Sequence, residues 1–311
     1  MAHQERVVAL LRQPNSMIAE GFAFMEAQFV ALHEDIYVAQ PKGFEDPVHP
    51  NHVYKLRKAF YGLKQAPRVW YEQLTQYLLH HGYDRGSVDK RLLVKTTRNH
   101  VTIAQIYADD IVFGSTLQKY TDDLVEVMNK EFEMSIVGQM TYFLGLQVKQ
   151  SSEGYFISQK KYAKNLVKKF ELESSKTPRT LISTSTKLSK DDAGPPIDST
   201  VYRSLIGSLL YLTASRPDIM FSFGMCARHQ SAPKKSHLIA AKRILKYVRG
   251  TIKYGIWYSK ESELSVTGYC DADWAGNIDD RKSTSGGCFF VGKELSIMAE
   301  QETKLNFSEH S

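Results

Sequence analysis

The decapeptide QIYADDIVFG, residues 105–114, sets two adjacent carboxylates, Asp109 and Asp110, between two runs of β-branched and aromatic residues. Such flanks favour strands, and the short interval between VTIAQIY and IVFG predicts a tight antiparallel hairpin with the acids at its tip. Turns favour aspartate, and the plainest reading of acids on a turn is that water solvates them. The apolar flanks argue against it, because they put the tip at the edge of a buried sheet, where carboxylates are costly unless a counter-charge meets them. Mg²⁺ supplies such a charge. It takes hard oxygen ligands and shares them with phosphates, and two such ions about 3.5–4 Å apart activate a hydroxyl and steady a leaving group. Phosphoryl transfer onto a nucleic-acid 3′ end uses that chemistry.

The remaining pattern alternates helical and strand-like stretches. In VYKLRKAFYGLKQAPRVWYEQLTQYLLHHGY, Pro67 suits a first helical turn, Trp70, Leu74, Tyr77 and Leu78 recur on one face, and Gly82 closes the helix. Residues 117–132 return to helical spacing, and MTYFLGLQVKQ and YFISQ, joined by SSEG, read as a second hairpin. KKYAKNLVKKF is an amphipathic basic helix whose cations suit either solvent or a nucleic acid. Residues 177–196, rich in Ser, Thr, Pro and Lys, read as a linker, followed by three helical patterns, the second opening on Ser215, Arg216, Pro217 and Asp218. Beyond Gly250, YGIWYS, LSVTGYCDADW and GGCFFVG alternate like strands of one sheet, with Asp271 and Asp273 on the same face.

A length of 311 residues with 42% hydrophobic and 24% charged residues gives room for two or three packed domains and excludes disorder throughout. The formal charge of +6 suits a polyanionic partner without requiring one. Cys226, Cys270 and Cys288 show no paired spacing, so reduced thiols in an intracellular protein are expected and structural zinc is not. With neither a secretory leader nor a long apolar span in view, a cytoplasmic or nuclear location without a membrane is expected.

The YADD tetrad with its apolar flanks, KLRKAFYGLKQAPRVWYE, FLGLQVKQ, YRSLIGSLLYLTASRPDI and GYCDADWAGNIDDRKSTSGG together resemble the reverse transcriptase and ribonuclease H region of copia-type LTR retrotransposon Pol polyproteins, from about His33 to Lys293. The resemblance implies an α+β right-hand polymerase with palm and fingers, thumb and connection, followed by an incomplete RNase H-like α/β domain. It divides the chain into an unmatched segment (1–32), fingers and palm (33–150), thumb and connection (151–250), the start of the RNase H-like domain (251–293) and a tail (294–311). It makes Asp109 the main metal-ligating palm carboxylate and Asp110 its partner, puts Tyr107 and Ala108 along the primer end and Gln65 beside the incoming nucleotide, and makes Asp271 the first RNase H carboxylate. The implied cofactor is Mg²⁺, and the implied partners are an RNA or DNA primer–template and dNTPs.

Two departures qualify the activity. The family carries a third palm acid in a stretch like MDVKSAFLNG, and a gapless alignment puts Phe22 at that position, with Glu20 and Glu26 the only acids close by. A polymerase with an incomplete acid set is therefore expected, either a decayed inactive copy or a module that binds nucleic acid or another partner without catalysis. The tail departs too, since the family continues with a segment like NLVSWxSKKQNSISLSTAEAEY. Back-translated with free choice of synonymous bases and read one base later, residues 294–298 give NLVSW and residues 300–311 give SKKQNSISLSTA. A single-base frameshift near Lys293 follows, and the gene sequence checks it: codons that cannot be read as that segment one base later remove the idea.

Overall fold

The computed structural model describes residues 19–25, 31–58, 66–108, 110–182, 188–190, 194–261, 265–272, 276–292 and 294–303, and for 19–34, 57–58 and 294–303 the backbone alone. The chain groups into two units, one up to Met140 and one from Thr141.

The first unit runs β1 (Ala19–Met25), β2 (Ala31–Ala39), β3 (Val53–Lys58), α1 (Ala66–His80), β4 (Asp84–Arg85), β5 (Leu92–Thr97), β6 (His100–Tyr107), β7 (Asp110–Ser115), α2 (Gln118–Glu131) and β8 (Met134–Gly138). Six of the strands form an antiparallel sheet in the order β4-β5-β6-β7-β1-β8, while β2 and β3 pair with each other. The helix predicted around Pro67 forms as α1, with Trp70, Leu74 and Leu78 buried. At its end Gly82 adopts φ +82°, which lets its own N–H reach the Leu79 carbonyl and that of Tyr83 reach Leu78, closing the last turn where a Cβ would strain. α1 and α2 cover one sheet face: Trp70, Leu74, Leu78, Leu124, Met128 and Phe132 pack with Leu93, Ala104, Ile106, Ile111 and Phe113 in one cluster. Strand alternation then decides the rest. Ala104 and Ile106 on β6, with Phe113 and Ile111 opposite them on β7, face the helices, so Gln105, Tyr107, Asp110 and Val112 belong to the other face.

The second unit holds β9 (Tyr142–Phe143), β10 (Leu146–Gln150), β11 (Gly154–Ser158), α3 (Lys160–Lys169), α4 (Ser199–Leu212), a 3₁₀ turn (Pro217–Ile219), α5 (Met220–Ala227), α6 (Lys235–Gly250), β12 (Ile256–Ser259), β13 (Val266–Ala272), β14 (Ser283–Val291) and β15 (Glu294–Thr303). The predicted second hairpin and all three later helical patterns are present. One expectation is corrected: YGIWYS does not join the later strands. As β12 it pairs with β11 in a sheet ordered β12-β11-β10-β9, whereas β13, β14 and β15 form a separate three-stranded sheet. Gly255 explains this, since a Cβ there would come within 2.2 Å of the Ile157 carbonyl oxygen, so only glycine lets β12 start that close to β11. The segment read as a linker is also more than a connector. Its Leu188 is buried among Tyr202, Leu205, Leu209, Ile244 and Val248, and its Thr180 carbonyl accepts from Arg243 Nε at 3.0 Å.

Two polar clusters lie inside this unit. Arg216 is 2% exposed, with Nε and Nη2 donating to the two Asp218 oxygens at 2.8 and 2.7 Å, and Nη1 and Nη2 donating to the carbonyl and hydroxyl of Thr251 at 3.1 and 2.8 Å. The rings of Tyr247 and Tyr254 lie 5.7 and 5.5 Å from its guanidinium, which completes the desolvated charge's surroundings. Removing one member leaves the others unmet. Arg216→Met is expected to destabilise by about 3 kcal/mol, checked by urea denaturation.

The second cluster is the stacked imidazole pair His229 and His237, with ring centroids 4.0 Å apart. His237 Nδ1 accepts the Lys234 N–H at 3.0 Å, and its Nε2–H donates to the Ser189 carbonyl, also at 3.0 Å. Burial, then the neighbouring His237, Arg228 and Lys190, push His229 down to about 4 against the opposing pull of Asp279. Because the folded value lies below the unfolded one, this contribution is complete above about pH 6.5 and is lost as pH falls from there toward 4. Stability is expected to drop by roughly 2 kcal/mol between about pH 7 and 5. His229→Phe flattens that slope in the same denaturation measurement.

Candidate active site

The expected hairpin is present. Tyr107 on β6 stands opposite Asp110 on β7, and Ala108 opens the turn between them. Ala108 adopts φ +49°, in the left-handed region that two-residue hairpin loops require and that costs a residue with a Cβ about 1 kcal/mol. An aromatic anchor holds the turn: Trp70 Nε1 on α1 donates to the Ala108 carbonyl at 3.1 Å, while its ring meets Phe132 edge-on at 5.1 Å. The same residue thus packs the core and fixes the turn. Sequence reasoning took Trp70 for core alone, and an indole N–H beside a candidate loop was the available signal.

Tyr107 is exposed and Asp110 half-buried, both on the face that α1 and α2 leave uncovered. Two further features were not foreseen: Asp89 accepts the Gln105 side-chain amide at 2.9 Å, and the Arg91 guanidinium lies 5.8 Å from the centre of the Tyr107 ring. Nothing in the local sequence marks either pairing, because both form across the sheet edge. Asp109 and Gln65, expected as the leading metal ligand and the nucleotide contact, lie outside the described residues.

The strand beside the acids decides what they can hold. β1 runs antiparallel to β7 with Phe24 opposite Asp110, Phe22 opposite Val112 and Glu20 opposite Gly114. The position expected to bear a third acid is therefore next to the site in space, and it is Phe22. Glu20 stands four residues along the ladder from Asp110, about 13 Å away, beyond reach of a shared ion. Glu26 lies outside the described residues, among which no three His, Cys, Asp or Glu side chains converge as a metal site. Within β1 the donors do not fit a two-ion site.

Asp271 is on β13 in the second unit, a strand whose seven residues are all exposed. It stands opposite Gly286 on β14, and its Oδ1 accepts the Ala272 N–H at 2.8 Å. Asp273 lies outside the described residues.

A helix-backed antiparallel sheet with a YADD turn on its open face is the arrangement of a nucleic-acid polymerase. Residues 17–184 match the family described as reverse transcriptase (RNA-dependent DNA polymerase). The chain is 37% identical over 84% of its length to the retrovirus-related Pol polyprotein from transposon RE1 of Arabidopsis thaliana, and 33% identical over 85% to that from transposon TNT 1-94 of Nicotiana tabacum. A putative transposon Ty5-1 protein of Saccharomyces cerevisiae is 31% identical over 82% of this chain and 83% of its own length. This chain belongs to the reverse transcriptase family, and its relatives include Pol polyproteins of copia-type transposons. It spans 18% of the RE1 polyprotein and 21% of the TNT 1-94 polyprotein. Members of the family generally use divalent metals and bind template and primer. Among the described residues no helix is long and apolar enough to cross a membrane.

Relief of the left-handed strain gives a test of the turn. Ala108→Gly is expected to leave the hairpin intact and stabilise it by up to about 1 kcal/mol, read as a raised denaturation midpoint.

Proposed function

We propose that this chain is the reverse transcriptase region of a copia-type retrotransposon Pol polyprotein in which primer–template binding persists while two-metal nucleotidyl transfer is crippled. In this reading Asp109 and Asp110 are the palm carboxylates, Tyr107 and Ala108 line the primer end, and Gln65 meets the incoming nucleotide. β13, β14 and β15 correspond to the start of an RNase H-like part with Asp271 as its first carboxylate, whose open surroundings opposite Gly286 suit a substrate strand.

One observation carries the proposal: Phe22, where the resemblance requires an acid, stands on β1 opposite Val112, two residues along the ladder from the Phe24–Asp110 pair. Two adjacent carboxylates alone supply too few oxygens to hold paired cations against the charge of a phosphate, so the missing ligand costs catalysis more than binding. Binding draws instead on basic residues that displace counterions, and Phe22 is no part of that.

The experiment is primer extension set beside equilibrium binding. The unaltered chain is expected to bind an RNA–DNA primer–template with marked salt dependence and to extend it at a rate near background in Mg²⁺. Phe22→Asp is expected to raise Mg²⁺-dependent extension at least about tenfold with little change in binding. Efficient extension by the unaltered chain would falsify the catalytic half of the proposal, and absence of binding would remove the other half.

A further inference from the structure

Beside the hairpin lies a guanidinium that forms no ion pair with a carboxylate among the described residues. Arg91 immediately precedes β5, and its backbone is fixed twice: its carbonyl accepts the Ile106 N–H at 3.1 Å and its own N–H donates to Asp89 Oδ1 at 2.9 Å. The other Asp89 oxygen is taken by Gln105, so this carboxylate is engaged in shaping the loop. These contacts, and to a smaller extent the nearby positive charge of Arg91, hold Asp89 below its usual carboxylate range. Even so, among the described residues no carboxylate lies within ion-pair distance of the Arg91 guanidinium. It is set against the Tyr107 ring instead, and both side chains are exposed.

An exposed arginine near aspartates ordinarily turns onto one of them, because the charges attract and the fork fits. Docked on a ring, it keeps its N–H donors directed outward with little rotamer freedom left to lose. A second pair stands on the same loop: Arg85 lies 5.9 Å from the centre of the Tyr71 ring, and the Tyr71 hydroxyl donates to the Lys90 carbonyl, next to Arg91. The stretch from Asp84 to Arg91 therefore presents two arginines, each laid on a tyrosine, linked through the backbone of a lysine. Stacked aromatic faces alternating with unpaired cations are the surface that takes up a nucleic-acid strand, the phosphate on the fork and the sugar or base against the ring.

We propose that Arg91, held by Tyr107, binds one backbone phosphate of a nucleic-acid strand laid across the hairpin, and that Arg85 on Tyr71 takes a second phosphate further along the loop. This rests on the reading that the first unit binds primer–template, and adds to it the residues that grip the strand beside the acids. Arg91 is a binding and positioning residue, not a catalytic one.

The test follows anisotropy of a fluorescein-labelled RNA–DNA primer–template on titration with the full chain between about 50 and 200 mM KCl. Arg91→Ala is expected to weaken binding about 3- to 10-fold and to reduce the slope of log affinity against log salt by about one, the signature of a single lost phosphate contact. Arg91→Lys should restore the slope but not the full affinity, since a point charge replaces the fork and loses the ring. Tyr107→Ala, which removes the ring under the guanidinium, should weaken binding as well. The denaturation midpoint of Arg91→Ala should stay at the parent value, which separates a contact from a folding defect. If the parent binds and Arg91→Ala matches it in affinity and slope, the assignment of Arg91 is overturned and the polymerase reading stands. If the parent shows no salt-dependent binding, both fall together.

Discussion

Everything in the first unit depends on the alternation of side chains across β6 and β7 against the two helices behind them. Ala104, Ile106, Ile111 and Phe113 satisfy the apolar face by packing on Trp70, Leu74, Leu124 and Met128. Pleat geometry then leaves Tyr107 and Asp110 on the opposite face with no freedom to turn inward. Asp110 is thus held where a polar ligand can reach it because the hydrophobic core next door fixes the register. Trp70 tightens the arrangement by bonding the turn carbonyl from within that core. Fold and site share a residue, so the site's position is as rigid as the packing.

The same register exposes the site's weakness. Strand β1 lies directly beside β7, so on the proposed reading an acid on it near Asp110 would complete the set of carboxylates. Phenylalanine at positions 22 and 24 supplies none of that. Neither position harms the sheet, since aromatic residues are favoured in strands. The proposed loss of catalysis is therefore compatible with retention of the fold, since backbone hydrogen bonds and packing keep the sheet. The proposed binding surface is independent of that position, resting on Arg85 at the end of β4 and Arg91 before β5, each set over a tyrosine ring.

The second unit shows how far local pattern reached. Every helix anticipated there forms, because Tyr202, Leu205, Ile206 and Leu209, like Ala241, Ile244, Leu245 and Val248, recur at helical spacing and meet in one core. The partners of the strands were another matter. YGIWYS reads as a strand in isolation, yet its pairing with β11 rather than β13 depends on Gly255 allowing close approach to Ile157. The Ser- and Thr-rich stretch reads as a linker by composition, but Leu188 is drawn into the helical core and Ser189 accepts from His237. Composition reports what a segment can do alone, and burial of a single leucine is decided by the surface it meets.

What the sequence determined by itself was the set of elements and the two acids at a turn, because strand and helix periodicity, turn chemistry and the cost of burying charge are properties of short stretches. The family followed from motifs of the same kind. Only the tertiary structure decided which neighbours those acids have: Phe24 across from Asp110, Trp70 beneath the turn, Arg91 against Tyr107. These contacts join residues between 16 and 86 positions apart in the chain. Their pairing is fixed by sheet order, register and packing, quantities that exist only once the whole core has condensed.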